Sequence, residues 1–166
     1  RRLASGSEDG TALLWNLEQP SAVPRELNGR DGRVQTLAFD PRNRWLATGG
    51  EGSTLRLWDL KQSSAKTLEL RGHEAEVRVL AFDPGGRWLA SGSKDRSPRL
   101  WDLERPTAKP LVLRGHKEAV ETLAFDPRGR WLATGSDDKT VRLWALGRSQ
   151  AGSSVLGEHE GNVRAL

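Results

Sequence analysis

His73 is followed by Ser91 and Asp95, and His116 by Thr134 and Asp138, at the same intervals along a chain of 166 residues. Histidine, aspartate and a hydroxyl residue are the vocabulary of hydrolases, where the imidazole acts as base, the hydroxyl as nucleophile and the carboxylate orients the ring. Their placement argues against that chemistry. All three histidines, His73, His116 and His159, occupy one recurring position, which leaves none over for catalysis or metal binding. The expectation is no catalytic residue, no metal and no cofactor. A phosphate-cradling loop is not found either: Gly49, Gly50 and Gly52 precede a strand, whereas such loops open a helix.

The elements that must position these residues recur. Trp15, Trp58, Trp101 and Trp144 stand 43 residues apart, and Phe39, Phe82 and Phe125 keep the same interval, as do Trp45, Trp88 and Trp131. A period of about 40–45 residues suits propeller blades, and the residues inside each repeat exclude helical arrays. Val77–Phe82 is a short apolar-rich run, and Asp83-Pro84-Gly85-Gly86 supplies turn chemistry after it. Trp88–Gly92, Arg99–Leu103 and Leu111–Leu113 follow as three further runs, so each repeat is predicted to hold four short strands. A four-stranded meander cannot bury both faces alone and must stack on its neighbours, which explains a hydrophobic content of only 36%.

The strings Leu70-Arg71-Gly72-His73, Ser91-Gly92-Ser93-Lys94-Asp95 and Leu100-Trp101-Asp102 resemble the Gly-His, Ser-Gly-Ser-x-Asp and Trp-Asp signatures of the WD-repeat family, in register over nearly the whole chain. The resemblance implies an all-β WD-repeat β-propeller, about four blades' worth of four-stranded antiparallel sheets in an open arc. It further implies a buried hydrogen-bonded network in each blade: His73, Ser91, Asp95 and Trp101 in one, His116, Thr134, Asp138 and Trp144 in the next. Ser5, Asp9 and Trp15 supply three members of another, and His159 one member of a last. One repeat departs from the pattern, with Arg30 at the histidine position and Gly52 at the aspartate position. The loss of both partners together fits removal of a coupled pair, since half a buried network is worse than none. Pro98 replaces Leu55 and Val141 of the sister repeats, cannot donate a ladder hydrogen bond, and predicts a frayed strand start.

The repeats divide the chain into strands two to four of a blade over 1–28, blades over 29–71, 72–114 and 115–157, and a first strand of a further blade over 158–166. With no methionine and part-blades at both ends, a fragment of a larger propeller is the expectation. There is an alternative. Six more residues, equivalent to Ala38–Asn43, would complete four repeats, so the last strand could complement the first sheet within a four-blade ring, or between two chains as an eight-blade dimer. Exposed edges and blade faces also predict self-association.

Family resemblance implies a non-catalytic scaffold or sensor for other proteins, acting through loops. The loops entering the first strand and joining the second to the third share one face by strand antiparallelism. The candidate partner-binding residues there are Glu8, Arg33, Gln35, Glu51, Glu76, Arg78, Lys94, Ala119, Glu121, Asp137, Asn162 and Arg164. Their signs are mixed, and no aromatic anchor stands among them. The opposite face carries Arg42, Arg44, Arg87, Arg128 and Arg130 in the Asp-Pro turns, the basis of an alternative function in binding nucleic acid or an acidic surface. The null case is that these arginines pair with Asp40, Asp83 and Asp126 beside them. The 26 basic residues are interspersed with 22 acidic ones, a mixture closer to a solvated surface than to a phosphate-binding stripe. With no cysteine, disulfides and thiolate chemistry are excluded. No apolar run approaches the roughly 18 residues of a membrane span, so a cytoplasmic chain without membrane contact is expected.

Overall fold

The Asp-Pro turns set the strand spacing. The carboxylate of Asp40 accepts the backbone N–H of Arg42 and Arg44, that of Asp83 accepts from Gly85 and Trp88, and that of Asp126 from Arg128, Arg130 and Trp131. The fourth residue of each turn is left-handed, with φ of 54° at Asn43, 67° at Gly86 and 65° at Gly129. Asparagine and glycine are the residues that adopt this conformation at least cost. These turns return each chain segment antiparallel to the one before it.

A computed structural model describes residues 1–29, 32–62, 67–146 and 153–166. Its described residues form four separate antiparallel sheets and no helix. The first holds β1 (Arg2–Gly6), β2 (Thr11–Asn16) and β3 (Arg25–Asn28) in that order. The second runs β4 (Val34–Phe39), β5 (Trp45–Gly50), β6 (Leu55–Asp59), β7 (Thr67–Leu70). The third runs β8 (Val77–Phe82), β9 (Trp88–Ser93), β10 (Arg99–Asp102), β11 (Leu111–Val112). The fourth runs β12 (Val120–Phe125), β13 (Trp131–Ser136), β14 (Thr140–Ala145), β15 (Ser153–Glu158). Strand β10 begins one residue after Pro98, although the Pro98 carbonyl still accepts the N–H of Leu113. In the segment 158–166, expected from sequence to hold a first strand, no ladder extends past Glu158.

Burial lies between sheets rather than within one centre. The first and second sheets enclose Ala12, Leu14, Leu27, Leu46, Trp58 and Leu60. Leu57, Leu70, Val77, Leu89 and Trp101 fill the next junction, and Ala90, Leu100, Leu113, Leu132 and Trp144 the last. Trp58, Trp101 and Trp144 thus each pack back onto the preceding sheet. Strand β1 lies against β4, β4 against β8 and β8 against β12, so the four sheets advance as an open array. The two outermost sheets lack one neighbour each. Leu3, whose counterparts Leu46, Leu89 and Leu132 are wholly buried, is 52% exposed; Leu156, whose counterparts Leu27, Leu70 and Leu113 are buried, is 61% exposed.

A seam of glycine against valine sets the sheet-to-sheet distance. A Cβ at Gly6 would stand 2.5 Å from Val34 Cγ1, one at Gly49 2.9 Å from Val77 Cγ1, one at Gly92 2.8 Å from Val120 Cγ1, and one at Gly135 2.5 Å from Val163 Cγ1. Val163 therefore seats on the fourth sheet as Val34, Val77 and Val120 seat on the sheets before them. Its N–H donates to the Ser136 carbonyl, as that of Val34 does to Ser7.

Candidate functional site

Strand pairing brings the network residues together. Leu89 of β9 faces Trp101 of β10, which directs the indole along the strand toward the hydroxyl of Ser91. Trp15, Trp58, Trp101 and Trp144 donate Nε1–H to Ser5, Thr48, Ser91 and Thr134 at 3.0, 3.0, 2.9 and 2.9 Å. In the third sheet His73 Nε2 lies 2.7 Å from Ser91 Oγ and its Nδ1 2.6 Å from Asp95 Oδ2; in the fourth, His116 Nε2 lies 2.8 Å from Thr134 Oγ1 and its Nδ1 2.9 Å from Asp138 Oδ2. The hydroxyl oxygen accepts from tryptophan; burial disfavours the charged ring, and with the hydroxyl proton donated to histidine Nε2, Nδ1–H donates to the carboxylate. This chain of donors assigns a neutral imidazole.

Ionisation follows the same geometry. Burial pushes His73 and His116 below the usual imidazole value, and Arg99 and Arg142 add to that effect, against the pull of Asp95 and Asp138. Burial raises Asp95, but hydrogen bonds from His73 and Ser97 outweigh it and hold the carboxyl well below the ordinary range. Asp138 is likewise lowered against burial, chiefly by Thr140, the Lys117 N–H and His116. A group whose folded pKa is depressed contributes stability above its unfolded value and loses it as pH falls. Unfolding midpoints in urea are therefore expected to fall as pH drops below about 6.5, where unfolded histidine takes up a proton, and to fall again below about 4, where the aspartates do. Removing both imidazoles (His73→Leu with His116→Leu) should flatten the upper step and shrink the lower one, because Asp95 and Asp138 lose a donor that holds their carboxyls low.

The hydroxyls of Ser91 and Thr134 are fully buried, and the side chains of His73 and His116 are 0% exposed. Neither set presents a nucleophile to solvent. Ser5 and Trp15 keep their bond, while Asp9 accepts from the Thr11 N–H and hydroxyl. His159 is exposed, and its backbone N–H donates to the Lys139 carbonyl. Arg30 lies outside the described residues. Its partner position, Gly52, borders a cavity of about 30 Å³ beside Thr48 and Arg56.

The residues expected on the partner face fall into two groups. Gln35, Arg78 and Glu121 are the extra residues of three β-bulges, at the same point of β4, β8 and β12. A bulge re-aims its side chain, and here the three meet across sheets: Arg78 Nη1 donates to Gln35 Oε1 at 3.0 Å and to Glu76 Oε1 at 3.3 Å, while Arg78 Nε is 3.5 Å from Glu121 Oε1. Lys94 Nζ approaches Glu76 Oε2 at 2.5 Å. Arg33 bonds Glu51 through its backbone and lies 3.6 Å from Glu8. Ala119 and Asp137 join through their backbones, and Asn162 and Arg164 remain exposed beside Val163. The bulge row was missed from sequence, although Gln35, Arg78, Glu121 and Arg164 recur at the repeat interval with complementary signs.

On the opposite face the turn aspartates accept backbone N–H groups and not guanidiniums, contrary to the pairing considered from sequence. Arg87 instead pairs with Asp102 and Glu104, at 3.2 and 3.6 Å. Arg44 and Arg87 lie over Trp45 and Trp88, 4.9 and 5.1 Å from the ring centroids. Among the described residues no helix is long and apolar enough to cross a membrane.

No curated protein matches the chain. The family model described as WD domain, G-beta repeat matches it four times, over residues 1–16, 22–59, 64–102 and 108–145. Those segments carry all four tryptophan–hydroxyl pairs and most of the four sheets, and WD repeats generally serve as scaffolds for protein–protein interaction. The chain belongs to the WD-repeat family.

Proposed function

We propose that the chain is a non-catalytic platform that holds protein partners against the loop face carrying Gln35, Glu76, Arg78, Lys94 and Glu121. The observation that supports this reading is the fixing of Arg78 between Gln35, Glu76 and Glu121 of three adjacent sheets. Charges held by bulged strands are preorganised, and complementary fixed charges give a docking face orientation and on-rate more than bulk affinity. The remaining face residues, Glu8, Arg33, Glu51, Ala119, Asp137, Asn162 and Arg164, extend that surface around the array. Panning the immobilised chain against a random-peptide display library tests it. A consensus whose binding weakens in Arg78→Ala supports the platform; no saturable peptide, or a consensus indifferent to every substitution on the loop face, overturns that assignment.

A nucleic-acid reading has one observation in its favour: Arg42, Arg44, Arg128 and Arg130 carry no ion pair among the described residues. Phosphate binding would show a steep fall of affinity with salt, by the release of counterions. The even mixture of charge favours the protein partner.

Self-association of the isolated chain is a further expectation, motivated by the exposure of Leu3 and Leu156 at positions buried in the inner sheets. Sedimentation velocity should show mass rising with concentration, and Leu3→Glu with Leu156→Glu should suppress it. A monomer at all concentrations would remove the idea.

A further inference from the structure

At the junction of the second and third sheets, on the turn face, lies a cleft of about 630 Å³ whose walls combine apolar side chains with two guanidiniums. Trp45 and Leu68 form one wall and Leu103 and Pro106 the other, with Arg42 and Arg44 at the mouth. The repeat explains why these arginines are unengaged. In the third sheet Arg87 is held by Asp102 and Glu104. One repeat earlier, the residue matching Glu104 is Lys61, and the residue matching Asp102 is Asp59, whose oxygens accept the Lys61 N–H at 2.9 Å and the Gln62 amide at 3.2 Å. Arg44 is thus left over the Trp45 ring with no carboxylate, and Arg42 has none either among the described residues.

Three carboxylates also line the cleft, but Asp40 and Asp59 are buried, 2% and 7% exposed, so the guanidiniums of Arg42 and Arg44 are the charges it presents outward without a carboxylate partner among the described residues. Asp40 accepts the N–H groups of Arg42 and Arg44, and Glu104 is taken by Arg87. The equivalent cleft between the first and second sheets has Arg2 and Arg25 where Trp45 and Leu68 stand, so that wall is basic there, while Leu60 keeps the place of Leu103. A ligand with carboxylates next to an apolar side chain matches both features of the junction at Trp45.

We infer that this cleft docks an extended acidic peptide segment of a partner protein, with carboxylates on Arg42 and Arg44 and the adjoining apolar side chain between Trp45, Leu68 and Leu103. The inference rests on the reading of the chain as a platform for protein partners, and it places a second contact on the face opposite the bulge row. Guanidinium pairs carboxylate bidentately, and stacking on an indole pre-orients Arg44 for it.

The test uses a panel of fluorescein-labelled heptapeptides carrying two central acidic residues followed by Leu, Ile, Phe or Trp, read by fluorescence anisotropy on the 166-residue chain. Saturable binding by at least one is expected. It should weaken about tenfold or more in Arg42→Glu with Arg44→Glu, and by a similar factor when the peptide acids are exchanged for lysine. Arg78→Ala on the other face should leave it unchanged. Both arginine side chains are exposed and their turn is held through backbone N–H groups, so the fold should survive; unchanged melting temperature checks this. Failure of every peptide to bind, equal binding by the charge-reversed protein, or tighter binding of a single-stranded oligothymidylate that the same reversal abolishes would each overturn the inference. A library consensus that depends on Arg78 and ignores Arg42 and Arg44 would overturn the cleft and leave the platform standing. Absence of any consensus, together with failure of the panel, would remove both.

Discussion

Replacing His116 with leucine is expected to lower the unfolding free energy by about 3 kcal/mol, far more than the one or two hydrogen bonds removed would suggest. The excess comes from the partners left behind. Thr134 is fully buried and its proton loses its acceptor, while the Asp138 carboxylate loses the donor at 2.9 Å in a setting only 5% exposed. An orphaned buried polar group costs about 1–3 kcal/mol, against about 1 kcal/mol for the net value of a satisfied bond. Trp144 Nε1 still donates to Thr134, so the indole stays in place and the damage is confined to the imidazole's partners, Thr134, Asp138 and Thr140. Asp138→Asn alone should also destabilise, because the carboxylate accepts from the Lys117 N–H and from both donors of Thr140. The double substitution should cost less than the sum of the singles by about 1 kcal/mol or more, the mark of a coupled pair. Urea unfolding of the four proteins measures this; additive losses would mean that the network braces nothing jointly.

The same logic bears on the second sheet, where Thr48 and Trp58 keep their bond while Gly52 replaces the aspartate. The stride of the tryptophans made the repeat legible, because one residue type at a fixed interval marks one place in a repeated sheet; the apolar runs between turn residues marked the strands, and the network followed from the resemblance to the WD-repeat signatures. Three features were not legible. The bulges at Gln35, Arg78 and Glu121 insert one residue into a ladder, and a strand with a bulge has the same composition as one without. The release of Arg44 depends on Asp59 turning to Gln62, a choice among local donors that no pattern of residue types fixes. The glycine after each network hydroxyl reads in sequence as part of a signature, while its reason lies in the next sheet.

Gly92→Val, by that reason, is expected to be strongly destabilising. A Cβ there would stand 2.7 Å from Val79 Cγ1, 2.8 Å from Val120 Cγ1 and 3.0 Å from the Val120 carbonyl oxygen. Side chains can rotate away, but the carbonyl belongs to β12 and moves only with its sheet. Two further methyl groups must then be housed where no space exists, and overpacking of a tight core costs about 3 kcal/mol and sometimes more. Because sheets brace one another in sequence, the loss should be local: β12–β15 should part from β8–β11 while the junction of the first two sheets persists. Hydrogen exchange by mass spectrometry would show protection lost in 120–125 and 131–136 and retained in 11–16 and 45–50. Gly157→Ala serves as the control, since no atom of the described residues lies within 4 Å of its added Cβ, and its effect should stay within about 0.5 kcal/mol. Native-like exchange throughout the Gly92→Val protein would mean that the glycine–valine seam does not set the spacing of the sheets.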